Sequence, residues 1–146
     1  MITVEEAKSI VIGSTVKLNK SFTRKINTCS GYFTSENIHS PLDLPPFDQS
    51  NVDGYVTVFS SSNSRKIKGE IKAGDNPKIK MKSGECVRIF TGAVVPKGSD
   101  FVVMQEDVIR NQNRMMLNDV NALNDNLIRK RGSQIKKGEL AVMKGT

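Results

Sequence analysis

Apolar and polar positions alternate along this chain in short bursts rather than long stripes, and the pattern predicts a strand-rich fold with one short helix. Val4, Ala7, Ile10 and Val11 fall on one stripe at helical spacing, Thr3-Val4-Glu5-Glu6 has the form of a capping box, and Gly13 reads as the stop. A helix of roughly three turns is not stable alone, so its stripe is expected to dock. From Val16 to Ile38 no period stands out. Tyr55-Val56-Thr57-Val58-Phe59 then alternates as a strand, Ser60 to Ser64 is a polar connection, and Lys66 to Lys72 resumes the strand pattern until Ala73-Gly74-Asp75-Asn76-Pro77 turns the chain. Lys78, Lys80 and Lys82 alternate with Ile79 and Met81, which predicts a lysine-blunted edge strand, with anion binding as the other reading. Glu85 to Phe90 and Phe101 to Met104 are further strands. Val108-Ile109-Arg110 and Met115-Met116-Leu117 form a hairpin about Asn111-Gln112-Asn113; the Asn and Asp content of 114–128 argues against a helix there. Glu139 to Met143 reads as a last strand. Such spacing, with no long helical pattern between the strands, predicts a mainly β, β-rich α+β fold.

Composition adjusts this picture modestly. With 37% hydrophobic residues, six Phe, two Tyr and no Trp in 146 residues, burial must come from Val, Ile, Leu and Met, and the core is thin. The net charge of +7 attracts anions of any kind without choosing among them. Cys29 and Cys86 stand far apart with no paired-cysteine spacing, which favours neither zinc nor a disulfide framework and fits a reducing cytoplasm. No basic leader precedes an apolar run at the N-terminus, and no apolar run is long enough to span a bilayer, so a secreted or membrane-spanning chain is not expected.

Chemistry concentrates in Pro41-Leu42-Asp43-Leu44-Pro45-Pro46-Phe47-Asp48-Gln49-Ser50-Asn51-Val52-Asp53-Gly54-Tyr55. Pro45 and Pro46 stiffen the entry, and Asp48, Ser50, Asn51 and Asp53 are turn formers. Asp43, Asp48 and Asp53 lie too far apart for a calcium loop with alternate ligands; they either shape the loop or hold a divalent cation such as magnesium through hard oxygens. Arg129-Lys130-Arg131 beside Gly132 either grips a phosphate or is a solvated linker. The only histidine, His39, reads as a surface residue. Neither a Walker loop nor a dinucleotide glycine fingerprint occurs, and basic residues are not interleaved with stacking aromatics, so nucleic-acid binding rests on charge alone.

Four segments together resemble the N-terminal region of the molybdopterin molybdenumtransferase family, the MoeA family that includes the gephyrin E domain. They are the loop Pro41 to Tyr55, then Val87-Arg88-Ile89-Phe90-Thr91-Gly92-Ala93-Val94-Val95-Pro96-Lys97-Gly98, then Val102-Val103-Met104-Gln105-Glu106, and Ile128-Arg129-Lys130-Arg131-Gly132. The resemblance implies a short N-terminal helix with irregular, coiled β-sheets: a β-rich lobe over about 23–134, with 1–22 and 135–146 belonging to an incomplete connecting domain and the pterin-binding domain lying outside the chain. It implies insertion of molybdate into adenylylated molybdopterin, with Mg2+, at a site shared between subunits, and hence a pterin-binding domain or chain, or a homodimer, as partner. Asp53 and Thr91 take the places of the family's active-site aspartate and threonine, with Asp53 as the metal-facing carboxylate and Ser50, Arg129 and Arg131 as substrate-binding residues. The sequence departs from the family at Ser133-Gln134, where an acidic pair is usual, and at Asn51-Val52. A non-catalytic binding or regulatory module of the same fold, and a basic nucleic-acid-binding protein, are the alternatives.

Overall fold

The computed structural model describes residues 2–17, 20–123 and 127–146. Contacts divide the chain into two compact units, Met1–Asn37 with Met143–Thr146, and Ile38–Val142.

In the smaller unit, helix α1 (Val4–Ser14) starts as its sequence requires: Thr3 Oγ1 accepts from the Glu6 amide at 3.2 Å, and the Glu6 carboxylate accepts from the Thr3 amide at 2.7 Å. Its end differs from expectation. Gly13 lies inside the helix, which instead stops at an extended Thr15 whose amide and hydroxyl both donate to the Ile12 carbonyl. The apolar stripe also stays largely exposed, with only Ala7 half-buried. No residue of α1 is buried, and Val4, Ile10, Val11 and Ile12 are all more than half exposed. Where the sequence shows no period, the structure has a 3₁₀ turn, Ile26–Thr28, and an Arg24 guanidinium lying 4.9 Å from the Phe22 ring and 4.8 Å from that of Tyr32. Thr34 ties in the chain end, its amide donating to Thr146 O and its carbonyl accepting from the Gly145 amide.

Among the described residues the larger unit holds ten strands. They are β1 (Ile38–His39), β2 (Gln49–Ser50), β3 (Gly54–Thr57), β4 (Ser64–Ile71), β5 (Glu85–Ile89), β6 (Phe101–Met104), β7 (Val108–Asn111), β8 (Arg114–Leu117), β9 (Ile128–Arg129) and β10 (Leu140–Val142). Six form one sheet in the order β6-β3-β5-β4-β8-β7, while β1 pairs with β10 and β2 with β9 as separate two-stranded sheets. The mainly β class and the β7–β8 hairpin agree with the sequence reading.

Strand β3 is buried at every position, because it is flanked by β5 and β6 and covered on both faces. Val56, Val87, Ile89 and Val102 belong to one apolar cluster; Tyr55, Cys86, Val103, Met115 and Leu117 belong to the other. Neighbours in sequence thus serve opposite faces, as the period of two demands. The close approach of β3 to β6 sets the residue type at Gly54: a Cβ there would lie 1.9 Å from the Val103 carbonyl oxygen. Buried Cys86 has its thiol pushed up to about 12 by desolvation, so it is a core residue and not a nucleophile. Arg65 is fully buried too, its guanidinium donating to the Ser62 and Ser60 carbonyls and so fastening the serine loop.

One expectation fails in an instructive way. Residues 77–82 form no strand. Strands β4 and β5 are parallel neighbours, so the segment between them must cross from one end of the sheet to the other and cannot itself pair at the edge. Its alternation has another use: Ile79 and Met81 pack on the first core cluster while Lys78, Lys80 and Lys82 stay exposed.

Candidate functional site

The loop that leads into β3 and the turn that follows β5 meet at one point. Because β3 and β5 are antiparallel, with Gly54 opposite Ile89, the residue before β3 and the residues after β5 are brought to the same end of the sheet. Asp53 Oδ1 accepts from both the Thr91 amide and the Thr91 hydroxyl, each at 2.9 Å. These two bonds, the amide first, hold the Asp53 carboxyl below its ordinary range against the opposing effect of desolvation; the charge of Arg88 adds a smaller contribution in the same direction. The outcome is an ionised carboxylate whose Oδ2 is not engaged by Thr91, beside an exposed hydroxyl.

Ser50 supports this arrangement from below. It is almost fully buried, and its hydroxyl donates to the Val52 carbonyl at 2.7 Å. Its backbone ladders with the Thr91-Gly92-Ala93 turn: the Gly92 amide donates to Ser50 O at 2.9 Å, and the Ser50 amide donates to Ala93 O at 3.0 Å. The side chain is therefore a brace within the loop, and the backbone is what registers Thr91 against Asp53.

Arg129 is the exposed residue of β9, whose Ile128 is buried, and is paired through its backbone with Gln49. Arg131 is drawn elsewhere. Its Nε donates to Asp43 Oδ2 at 2.6 Å, and its amide donates to Asp48 Oδ1 at 2.8 Å, while Lys130 Nζ sits 3.3 Å from Asp48 Oδ2. The Lys137 amide completes the clasp by donating to Asp43 Oδ1 at 2.8 Å, and it is the largest cause of the lowered Asp43 carboxyl, followed by Arg131. Two of the three loop aspartates are thus spent on the basic segment 130–137.

Sequence reasoning left Arg88 and Gln105 without roles, although both lie inside the matched motifs. The Arg88 guanidinium sits 5.2 Å from the Tyr55 ring and 5.0 Å from the Phe90 ring, and its Nη2 donates to Gln105 Oε1. The Gln105 backbone N–H donates to the Asp53 carbonyl at 3.1 Å. Arg88 thereby fixes the strand ends that carry Asp53. Among the described residues no three His, Cys, Asp or Glu side chains converge as a metal-binding group. His39 is exposed, with Nδ1 2.9 Å from the Gly138 carbonyl. No helix among the described residues is long and apolar enough to cross a membrane.

A six-stranded mixed sheet with two small satellite sheets, presenting a carboxylate–threonine pair on the loops at one end, defines a β-rich domain. The chain belongs to the family described as the MoeA N-terminal region (domain I and II), whose model matches residues 2–146. It is 30% identical over 149 residues to the molybdopterin molybdenumtransferase of Haemophilus influenzae, covering 99% of this chain and 37% of that protein. Its identity to the corresponding Nostoc protein is 34% over 128 residues, covering 80% of this chain and 29% of the other. The solved molybdopterin biosynthesis moeA protein of Pyrococcus horikoshii OT3 superposes with a TM-score of 0.85 at 26% identity, covering 96% of this chain and 39% of that one. The chain therefore spans roughly a third of the length of the relatives it matches.

Proposed function

We propose that this chain serves molybdenum cofactor biosynthesis by contributing half of a site at which molybdate is inserted into adenylylated molybdopterin. The reading is carried by the Asp53–Thr91 pair, an ionised carboxylate and a hydroxyl held together on an exposed loop edge. The other wall of the site comes from a pterin-binding domain or chain, or from a second subunit. Thr91 orients the carboxylate and, through its hydroxyl oxygen, can accept a proton-bearing group of the substrate. Asp53 Oδ2 suits Mg2+ as a single hard oxygen ligand, since that ion keeps most of its waters and takes one or two carboxylates besides phosphate. When bound it would neutralise charge on the substrate's phosphate and oxyanion oxygens. Arg129, exposed at the end of β9, supplies positive potential, whereas Arg131 acts chiefly by holding the Asp43–Asp48 loop.

The test is the amount of active cofactor formed from adenylylated molybdopterin, molybdate and Mg2+ with this chain alone and with a separate pterin-binding chain added. Formation only in the combined reaction is expected. Asp53→Ala should then lower it at least ~100-fold and Thr91→Ala about 10-fold, as for loss of a charged active-site group and of a charge-assisted hydrogen bond. Full turnover by the isolated chain would sink the split-site reading. Ser133-Gln134, in place of the acidic pair, favours a second reading as a non-catalytic module of the same fold; unchanged cofactor formation in both variants would select it.

A further inference from the structure

The geometry points to a binding site for a phosphate group in the depression formed where β8 parts from β4, lined by Lys68, Arg88, Arg110 and Asn113. This site includes neither Asp53 nor Thr91 and does not rest on the function proposed above.

The depression follows from the strand pairing. β4 pairs with β8 only from Ser64 to Lys66, and its register with β5 slips between Ile67 and Glu70, so a bulge leaves the sheet there. The tip of the β7–β8 hairpin folds alongside, the Ile67 amide donating to the Asn113 carbonyl at 2.8 Å. Between bulge and tip lies a hollow of about 340 Å³ with Ile67 in its wall.

Its lining carries three cations and one carboxylate. Glu70, the carboxylate, is 3.3 Å from Lys72 Nζ, and Lys68 lies 3.1 Å from Glu85. Among the described residues neither Arg88 nor Arg110 is in an ion pair. Arg88 is already held in place by two aromatic rings, by Gln105 on Nη2 and by the Gly54 carbonyl 3.5 Å from Nη1, so it contributes charge from a fixed position and little freedom remains to be lost on binding. Arg110 spends only its Nε, on the Gln112 carbonyl at 3.5 Å, which leaves its terminal nitrogens for an oxyanion. Guanidinium forks match tetrahedral oxyanions, and the hollow exceeds the share of one water, about 30 Å³, by roughly tenfold, leaving room for a small group esterified to the phosphate.

The experiment is an amide-resolved NMR titration of the 146-residue chain, at constant ionic strength, with inorganic phosphate and in parallel with glycerol phosphate. Saturable shifts are expected at Gly69, Glu70 and Asn113. Arg110→Gln and Lys68→Gln should each weaken binding about tenfold, the two side chains being exposed so that the fold, read from the rest of the spectrum, persists. Lys78→Gln, on the exposed crossover, should change nothing. Tighter binding of glycerol phosphate assigns a phosphorylated small molecule, and equal binding assigns the free ion. Absence of saturable shifts with either compound, or equal weakening by Lys78→Gln, would overturn the proposal.

Discussion

The two ends of the aspartate-rich loop use the same side chain in opposite ways. At its entry, Asp43 and Asp48 face cations and backbone amides from residues 130–137, and their charge is consumed in clasping two distant pieces of chain. At its exit, Asp53 is held by one neutral residue, Thr91, on one oxygen only. Both environments lower a carboxyl below its ordinary range, but only the second leaves a charge without a dedicated counterion. A lowered carboxyl by itself therefore does not mark a reactive one.

The sharpest way to break this comparison is through the glycines beside each end. Gly54→Ala would push a methyl group onto the Val103 carbonyl of β6, which cannot retreat without parting edge strand β6 from β3, and it should cost about 3 kcal/mol or more. Gly132, at φ +68, would place its methyl 3.3 Å from the flexible Lys136 side chain and 3.6 Å from Asp43, so Gly132→Ala should cost only about 1–2 kcal/mol, mainly for the left-handed backbone. Urea denaturation of the two variants measures the difference; equal losses would mean that the exit of the loop is no more rigidly built than its entry.

A smaller effect separates the carboxylates. Asp43→Ala removes the acceptor for Arg131 and the Lys137 amide and should lower the melting temperature by several degrees, more than Asp53→Ala does, while the second variant is the one that removes the proposed chemistry. The acid limb follows from the sign of the shifts. The folded-state pKa of each carboxyl lies below its unfolded value, so each contributes stability above the ordinary carboxylate pKa that is lost as pH falls through the lower, folded one. Asp43→Ala should accordingly flatten the fall in stability between neutral and strongly acid pH, as melting curves across that range would show.

The smallest effect is the most local. In Thr91→Val the amide remains and the hydroxyl is lost, so the Asp53 carboxyl should titrate higher than in the wild type yet still below an unperturbed aspartate, because the amide is the larger of the two causes. Carboxyl-carbon NMR reads this directly, and an unmoved midpoint would show that the hydroxyl bond contributes nothing to the charge at the site.

Much of this was legible beforehand because it is local. The Thr3–Glu6 cap, the β7–β8 hairpin and the strands around Tyr55, Val87 and Val102 depend on residues within a few positions of one another. Asp53 and Thr91 are named as active-site residues through motif resemblance alone; their contact across 38 residues, which no period connects, comes from the fold.

What the sequence by itself determined is the strand-rich class and the capped helix, for each is written in short-range spacing. Only the tertiary structure decided that residues 77–82 cross over instead of pairing, that Ser50 is a buried brace, and that Arg131 answers to Asp43 across 88 positions. The parallel pairing of β4 with β5 and the antiparallel pairing of β3 with β5 are long-range choices, made by burying both faces of the central strands at once, and a local pattern of polar and apolar residues is compatible with several such choices.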